Sequence, residues 1–236
     1  MNYVGIDIGS TAAKVVTRGD VNLEFVLPTG WSSKETAGII RERLLLEGID
    51  VLDDGTQTVA TGYGRVAVDY ADHVITEITC HARGLISQGM VQYFLMNDKC
   101  SAGTGKFLEI MANRLGVSLS ELFDLADTGE VLPISSLCTV FAESEVINYI
   151  GEGRRREDIA AGVVDSVAAK VAQLALRKEL PEQVILTGGL SGSGYFARIL
   201  SEKIERKVES EDCGRYAGAL GAALLAEEKF KRRGGK

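Results

Sequence analysis

The chain has 236 residues, of which 45% are hydrophobic and 25% charged, and it carries a formal net charge of −7. This is an ordinary globular composition, with enough apolar residues for one large domain or two smaller ones. The negative charge argues against nonspecific nucleic-acid binding, and no apolar run reaches the roughly 20 residues that cross a bilayer. Since the start also lacks the basic and apolar pattern of a signal peptide, we expect a cytoplasmic protein without nucleic-acid or membrane partners. Its four cysteines are then thiols or ligands rather than disulfides.

A β-hairpin is predicted at the start of the chain. Residues 3–8 alternate and are rich in apolar side chains, residues 14–17 form a second strand, and residues 22–27 form a third. Small residues occupy the turn between the first two strands, as a hairpin requires.

This first turn carries groups that suit a nucleotide phosphate and Mg²⁺. Gly9, Ser10 and Thr11 supply backbone N–H groups and two hydroxyls that can hold phosphate oxygens. Asp7, at the edge of the turn, supplies a carboxylate that can orient a hydrated metal ion. The competing interpretation is a plain type I′ hairpin with solvated polar residues, and the residues alone do not decide between the two.

A second strand-to-turn segment follows at residues 57–65. The strand at residues 57–61 runs into Gly-Tyr-Gly-Arg, whose glycines allow a close approach of the backbone. Arg65 can meet an anion or an acidic partner, although a place in a surface turn is the more common role. Cys80 and His81 come later and are neighbours. Because adjacent side chains rarely converge on one ion, we expect a buried cysteine beside a hydrogen-bonded histidine.

Residues 97–106 place a cysteine beside a glycine-rich turn. Cys100 stands just before Ser-Ala-Gly-Thr-Gly, which runs into an apolar-periodic segment that predicts a helix at residues 107–115. Backbone N–H groups and the helix dipole at such a turn stabilise a thiolate and any anion bound beside it. The stretch therefore suits a metal cluster, a phosphate, or both.

Cys138 stands at a second predicted helix start, ahead of a helix at residues 140–149. Glu143 and Glu145 are expected in the first turns of that helix, where acidic side chains complement the dipole. The alternative to this capping role is a polar contact with a nucleotide-bound metal ion or with water.

The remaining predicted elements complete a mixed α/β pattern. Helices are predicted at residues 33–47, 118–125, 158–178, from about 193, and at 214–229, and strands at 183–187 and 207–210. The helix at 158–178 is the longest, and its apolar spacing and many alanines assign it to the core. Gly188 and Gly189 form a strand-to-helix turn that lets a flat ligand lie against the backbone, with an ordinary βα turn as the alternative.

The order of these motifs resembles a known superfamily. Asp-Ile-Gly-Ser-Thr at 7–11, Thr-Gly-Gly at 187–189 and Gly-Ala-Leu-Gly-Ala at 218–222 resemble actin, the hexokinases and the chaperone ATPases. Four longer motifs narrow the resemblance to the activators of 2-hydroxyacyl-CoA dehydratases and the related ATPase subunits of benzoyl-CoA reductase. These motifs are Ala-Thr-Gly-Tyr-Gly-Arg at 60–65, Asn-Asp-Lys-Cys-Ser-Ala-Gly-Thr-Gly at 97–105, Cys-Thr-Val-Phe-Ala-Glu-Ser-Glu at 138–145 and Leu-Thr-Gly-Gly at 186–189.

The resemblance implies an α/β fold of two ribonuclease-H-like lobes around a nucleotide cleft. Residues 1–93 would form the N-terminal lobe, with a closing helix at 214–230 packed back on it. Residues 94–213 would form the C-terminal lobe, which carries the cluster cysteines and the adenosine motif.

The resemblance also implies a homodimer that holds one [4Fe–4S] cluster through Cys100 and Cys138 of each chain. Two thiolates from each side of a twofold axis give the four that a cubane cluster needs. A ferredoxin or flavodoxin would reduce the cluster, and ATP hydrolysis would drive one electron into an acyl-CoA dehydratase or reductase partner under anaerobic conditions. A shared zinc site and simple packing thiols are the alternatives for these cysteines, while Cys80 and Cys213 are expected to be structural.

Further roles follow from the resemblance residue by residue. Asp7 would hold hydrated Mg²⁺, and Glu143 is the second candidate catalytic residue. The candidate nucleotide contacts are Gly9, Ser10, Thr11 and Lys14 on the phosphates, Gly103, Thr104 and Gly105 along the cleft, and Gly188 and Gly189 on the adenosine side.

One departure from the family pattern is large. A second phosphate motif, Asp-Ile-Gly-Gly-Gln on its own strand, is absent between residues 80 and 94, where family spacing requires roughly two dozen more residues. Either the segment is deleted or the sequence omits it, and the cost of removing a core strand favours omission. A true deletion would put hydrolysis in doubt. Two alternative functions stay open. Asp7 and the late glycines also suit a small-molecule kinase of the same fold, and the missing motif suits a non-hydrolysing, nucleotide-gated regulatory module.

Overall fold

The computed structural model of the chain describes residues 1–85, 105–135, 139–210 and 214–234. It divides into two compact units, the first made of Met1–Phe94 with Cys213–Lys236 and the second of Leu95–Asp212. We call these unit 1 and unit 2. The predictions for Cys100, Cys138, Cys213, Gly103 and Thr104 fall outside the described residues.

Unit 1 is built on a five-stranded mixed sheet with the strand order β3-β2-β1-β4-β5. The strands are Asn2–Ile8 (β1), Ala12–Gly19 (β2), Leu23–Pro28 (β3), Thr56–Thr61 (β4) and His73–Val74 (β5). β1, β2 and β3 pair antiparallel, whereas β1 with β4 and β4 with β5 pair parallel. The predicted hairpin is therefore confirmed, and it forms the centre and one edge of the sheet.

Three helices accompany the strands of unit 1. They are Ser33–Leu46 (α1), Glu77–Leu85 (α2) and Ala217–Gly234 (α8), the last preceded by a 3-10 turn at Gly214–Tyr216. One face of the sheet buries Val4, Ile6 and Ile8 of β1 in an apolar cluster with Ile40 and Leu44 of α1. This alternation of large apolar side chains along β1 is why the first strand could be recognised from its sequence.

The other face of the sheet is covered by α8 at very short range. A Cβ added to Gly5 would lie 1.9 Å from the carbonyl oxygen of Ala219 and 2.4 Å from the amide nitrogen of Ala223. Only a residue without a side chain lets the helix backbone touch the sheet at this point. Since side chains alternate along a strand, Asp7 lies on the same face as Gly5 and so under α8.

α2 packs against α8 through further glycines. A Cβ on Gly221 would lie 1.7 Å from the carbonyl oxygen of Cys80, and one on Gly84 would lie 2.1 Å from that of Ala217. The Gly-Ala-Leu-Gly-Ala motif is thus a backbone contact surface, which fixes α2 tightly against α8.

Unit 2 is mainly helical in its described part. Its helices are Gly105–Leu115 (α3), Leu119–Thr128 (α4), Thr139–Gly151 (α5), Arg156–Ala175 (α6) and Gly194–Ile204 (α7), and its strands are Val184–Leu186 (β6) and Val208–Ser210 (β7), which pair parallel. α6 buries Ile159, Val163 and Val167 completely or almost so, which confirms its predicted place in the core. Ser118 and Glu121 form a capping box at the start of α4.

Sequence and structure differ at a few elements. The two-residue strand β5 was not predicted, because two residues carry no alternation to recognise. α6 begins two residues earlier than predicted, at Arg156, and ends three earlier, at Ala175. Within the ranges that the structure describes, no helix is both long enough and apolar enough to cross a membrane.

Candidate functional site

The turn between β1 and β2 is a compact, braced loop. Gly9 N–H donates to the Ala12 carbonyl oxygen at 3.1 Å, and the Thr29 hydroxyl donates to the Gly9 carbonyl oxygen at 2.7 Å. The Thr29 N–H also donates to the Thr11 carbonyl oxygen at 3.0 Å. None of residues 9–11 has a positive φ, which a type I′ turn requires at both central positions. The plain type I′ interpretation is therefore wrong for this turn.

A buried ion pair lies directly beneath this turn. Asp7 and Lys14 face each other in the antiparallel register of β1 and β2, and their side chains are 6% and 9% exposed. Lys14 Nζ lies 3.8 Å from Asp7 Oδ2, and it is also 3.4 Å from the point where a Cβ on Gly9 would stand. The lysine ammonium thus lies between the carboxylate and the turn, where it can meet a phosphate oxygen held by the turn.

The hydroxyls of the turn differ from one another. Ser10 is exposed, whereas Thr11 Oγ1 is buried and has no hydrogen-bond partner among the residues that the structure describes. A buried polar atom without a partner costs free energy and calls for an explanation at each site where it occurs. Such a hydroxyl is consistent with a turn that completes its hydrogen bonds only when a ligand is present.

The loop after β4 closes over the same carboxylate. Gly62 has φ +89, and a Cβ there would lie 2.4 Å from the Ile8 carbonyl oxygen and 2.5 Å from Asp7 Oδ1. Gly64 N–H donates to the Ile8 carbonyl oxygen at 2.8 Å. The predicted close backbone approach at these glycines is confirmed, and what they approach is the end of β1 with the Asp7 carboxylate.

Arg65 has the simpler of its two predicted roles. Its guanidinium NH1 donates to the Gly62 carbonyl oxygen at 2.9 Å, so the side chain braces its own turn. Nothing in this geometry directs Arg65 to an anion.

Cys80 and His81 are both buried on α2, as predicted. Burial raises the pKa of the Cys80 thiol to about 11, against the opposing effect of the Thr61 hydroxyl, so the thiol is protonated at neutral pH. Burial also lowers the pKa of His81. The Lys14 ammonium lowers this pKa further, whereas the Asp7 carboxylate raises it. The imidazole is therefore mainly neutral at pH 7.

His81 lies closer to the Asp7 site than its sequence position suggests. A Cβ on Gly218 of α8 would lie 2.8 Å from both His81 Nε2 and Asp7 Oδ2. Neither His81 nor Gly218 was predicted as a site residue, because only the packing of α2 and α8 on the sheet brings them to Asp7. The glycine motif at 218–222 was the one sequence signal that pointed to this face.

In unit 2, the predicted adenosine-side glycines follow β6. Gly188 has φ +91, and a Cβ on either Gly188 or Gly189 would meet no atom of the described residues within 4 Å. The buried Ser191 hydroxyl donates to the Gly188 carbonyl oxygen at 2.8 Å and braces the turn. In the described part of the chain, open space therefore faces both glycines, as a flat ligand lying on the backbone would need.

Glu143 is engaged by a neighbouring helix. Its Oε1 accepts a hydrogen bond from Arg114 Nε at 2.5 Å, which joins α5 to α3. Because α5 begins at Thr139, both Glu143 and Glu145 lie beyond its first turn, where the helix dipole has little effect. Glu145 instead accepts the Ser135 N–H at 2.5 Å. Gly105, also predicted to contact nucleotide, is the first residue of α3.

The donor atoms in unit 1 fit a hydrated Mg²⁺ ion with a phosphate. Mg²⁺ keeps several waters and binds through one or two carboxylates together with substrate phosphates, which matches a single carboxylate beside a turn whose N–H and hydroxyl groups suit a phosphate. Among the described residues, no group of three or more His, Cys, Asp or Glu side chains could hold a metal ion by itself. A [4Fe–4S] cluster would need the thiolates of Cys100 and Cys138, whose side-chain chemistry fits it.

Comparison with known proteins identifies the family. Residues 85–226 match the BadF/BadG/BcrA/BcrD ATPase family. The chain is 35% identical to the 2-hydroxyisocaproyl-CoA dehydratase activator of Clostridioides difficile, over 98% of this chain and 97% of that protein. It is 37% identical to the (R)-2-hydroxyglutaryl-CoA dehydratase activating ATPase of Acidaminococcus fermentans, over 96% of this chain and 97% of that protein.

These relatives are longer within the aligned region. The alignment with the Clostridioides difficile activator spans 258 positions against the 236 residues of this chain, so at least 22 positions of that relative have no counterpart here. The choice between a deleted and an omitted segment concerns residues 80–94, and those beyond Leu85 lie outside the described residues. α2 is also unbroken to Leu85, so the helix itself is not interrupted.

Solved structures agree with the predicted fold. The activator of the 2-hydroxyisocaproyl-CoA dehydratase from Clostridium difficile with bound ADPNP matches with a TM-score of 0.86 at 33% identity, over 99% of this chain and 97% of that one. A ROK-family glucokinase from Streptomyces griseus matches with a TM-score of 0.57 at 15% identity, over 97% of this chain and all of that one, which shows a shared fold alone. The predicted actin- and hexokinase-like ATPase fold is confirmed, and the chain belongs to the BadF/BadG/BcrA/BcrD ATPase family.

Proposed function

We propose that this protein is an ATP-dependent activator that passes single electrons to a 2-hydroxyacyl-CoA dehydratase or a benzoyl-CoA reductase-type partner. The observation that carries the proposal is the buried Asp7–Lys14 pair beneath a braced phosphate turn, in a chain similar to dehydratase activators over almost its whole length. A relative of known structure was solved with bound ADPNP, which supports ATP as the nucleotide.

In unit 1, the chain's own groups would divide the work on the nucleotide. The backbone of residues 9–11 and the hydroxyls of Ser10 and Thr11 hold phosphate oxygens, and Lys14 neutralises part of their charge. Asp7 orients the waters of a hydrated Mg²⁺ ion, which when bound would offset the charge that develops during hydrolysis. Gly188 and Gly189 of unit 2 offer an open backbone surface for the adenosine.

For the electron, the proposal assigns Cys100 and Cys138 of two copies to one [4Fe–4S] cluster. When bound, the cluster supplies a site that accepts one electron from a ferredoxin or flavodoxin and gives it to the partner. Two thiolates per chain are half of what the cluster needs, so the proposal includes a homodimer in which each copy supplies two. The segments that contain these cysteines lead into α3 and α5, which the Arg114–Glu143 pair joins.

The proposal is tested by activation of a dehydratase component. With anaerobically purified protein, a chemical reductant and MgATP, we expect dehydratase activity to appear only when the reductant and ATP are both present. A known activator, such as that of Clostridioides difficile, serves as the positive control for each dehydratase preparation. Two results would contradict the proposal: activation of the dehydratase without ATP, or no activation by this protein of any dehydratase preparation that the control activates.

A second candidate function is a nucleotide-gated regulator that binds ATP without hydrolysing it. At least 22 positions of the Clostridioides difficile activator have no counterpart in this chain, and this observation favours the regulator. The second phosphate motif that the family pattern leads us to expect is absent from the sequence. Loss of that motif removes a carboxylate that would orient metal or water. Release of phosphate from ATP by the purified chain separates the two candidates directly.

A further inference from the structure

Asp7, Lys14 and His81 are buried polar side chains that lie together under α8 in the described part of unit 1. Asp7 and Lys14 have roles in the proposed nucleotide site, and His81 does not. Each of the three is less than a tenth exposed, and they come from β1, β2 and α2 respectively. A buried polar side chain from a third element at this position needs a reason.

The geometry around Gly218 places the imidazole beside the carboxylate. His81 Nε2 and Asp7 Oδ2 both lie 2.8 Å from the position of a Cβ on Gly218. Two atoms at equal distance from one point are at most twice that distance apart. Oδ2 is also the oxygen that lies 3.8 Å from Lys14 Nζ, whereas Oδ1 faces Gly62. One carboxylate oxygen is therefore surrounded by the polar groups of two other elements.

The backbone of α2 leaves His81 little freedom to move away. Cys80, the residue before it, has its carbonyl oxygen 1.7 Å from the Cβ position of Gly221, and Gly84 touches Ala217 in the same way. α2 is thus fixed against α8 on both sides of His81, one turn apart. Because α8 in turn contacts the sheet at Gly5, the distance from His81 to Asp7 is set by backbone contacts.

The chemistry of the ring agrees with a positioning role. Each of its two nitrogens can form a hydrogen bond, and the charged groups that face it are Asp7 and Lys14.

We infer that His81 is a positioning residue for Asp7, which together with Lys14 fixes the orientation of the carboxylate toward the Mg²⁺ of bound nucleotide. The inference rests on the proposed function of the same site. It adds a residue on α2 to a site otherwise built from the β1–β2 hairpin. Groups that orient a metal-directed ligand without touching the metal alter metal affinity strongly when they are replaced.

A matched pair of amides tests this role. His81→Gln carries its amide nitrogen about as far as Nε2, whereas His81→Asn reaches only about as far as Nδ1, so the two differ in reach and not in polarity. The measurement is the Mg²⁺ concentration that gives half-maximal ATP binding, with ADP binding in a metal chelator measured alongside. Thr58→Val is the control. Thr58 is a buried residue of the same sheet and pairs with Val4, so its side chain lies on the face of the sheet opposite to that of Asp7.

We expect His81→Asn to raise the required Mg²⁺ concentration roughly tenfold or more, with ADP binding in the chelator unchanged. His81→Gln should stay close to the wild type, as should Thr58→Val. Equal Mg²⁺ requirements in the Asn and Gln variants would overturn the inference. If the wild-type protein itself shows no Mg²⁺-dependent ATP binding, the proposed nucleotide site is wrong. That failure is seen in the wild type alone, so it is distinct from a failure of the role inferred for His81.

Discussion

Gly221→Ala should lower the free energy of unfolding of unit 1 by about 3 kcal/mol or more. This is the upper end of the destabilisation that an added methyl group causes in a well-packed core. The new methyl group would stand 1.7 Å from the Cys80 carbonyl oxygen and 2.8 Å from the Gly84 amide nitrogen, and both are backbone atoms that no rotamer change can move. α2 and α8 would have to separate. For a chain of this size we expect the thermal midpoint of unit 1 to fall by roughly 10 °C.

Gly38→Ala is the matched control for that experiment. Gly38 is an exposed residue inside α1, and a Cβ there would meet no atom of any described residue within 4 Å. Alanine favours helix over glycine by about 1 kcal/mol, so this variant should be slightly more stable than the wild type. Opposite signs for the two Gly→Ala changes are the expected result. If Gly221→Ala has the same thermal midpoint as the wild type, α2 and α8 do not make the close backbone contact described above.

Asp7→Asn should lower ATP hydrolysis roughly 100-fold or more, the usual effect of removing one preorganised electrostatic group. The amide keeps the shape of the side chain but no longer attracts the hydrated metal ion. The change also leaves the buried Lys14 ammonium without its counter-charge, and loss of one partner of a buried pair costs about 3–5 kcal/mol. Activity and stability therefore have to be measured separately.

The double variant Asp7→Asn with Lys14→Met makes that separation. Removal of both charges should restore much of the lost stability, because no uncompensated charge stays buried. Hydrolysis should not return. Asp72→Asn is the control carboxylate, since Asp72 accepts the Thr58 N–H at 2.7 Å and lies outside the phosphate turn. If hydrolysis recovers in the double variant, or falls equally in Asp72→Asn, Asp7 does not have the proposed role.

Much of unit 1 could be predicted from local sequence. The alternation along β1 and the small residues of the turn at 9–11 predict the hairpin, and the hairpin places Asp7 beside its turn. The glycines at 62 and 64 predict a close backbone approach, and the structure shows that the approach is to the end of β1. These features depend on residues that are close in sequence or carry a strong periodicity.

The features that were missed depend on contacts between distant segments. His81 and Gly218 are 137 positions apart in the chain and meet only because α8 returns to the sheet beside α2. Glu143 and Arg114 are 29 positions apart, on separate helices, and no local pattern shows that they form an ion pair. The capping role expected for Glu143 depended on the helix start, and helix ends are the least certain part of a sequence prediction.

The central claim is that two copies of this chain share a [4Fe–4S] cluster through Cys100 and Cys138, and anaerobic iron and sulfide analysis tests it most directly. The control is Cys80→Ala, because the Cys80 thiol is buried on α2 in unit 1 and has no proposed role in the cluster. We predict about two iron and two sulfide per wild-type chain, with the same content in Cys80→Ala and almost none in Cys100→Ala or Cys138→Ala. Zinc in place of iron, a metal-free dimer, or iron retained without Cys100 would contradict the account.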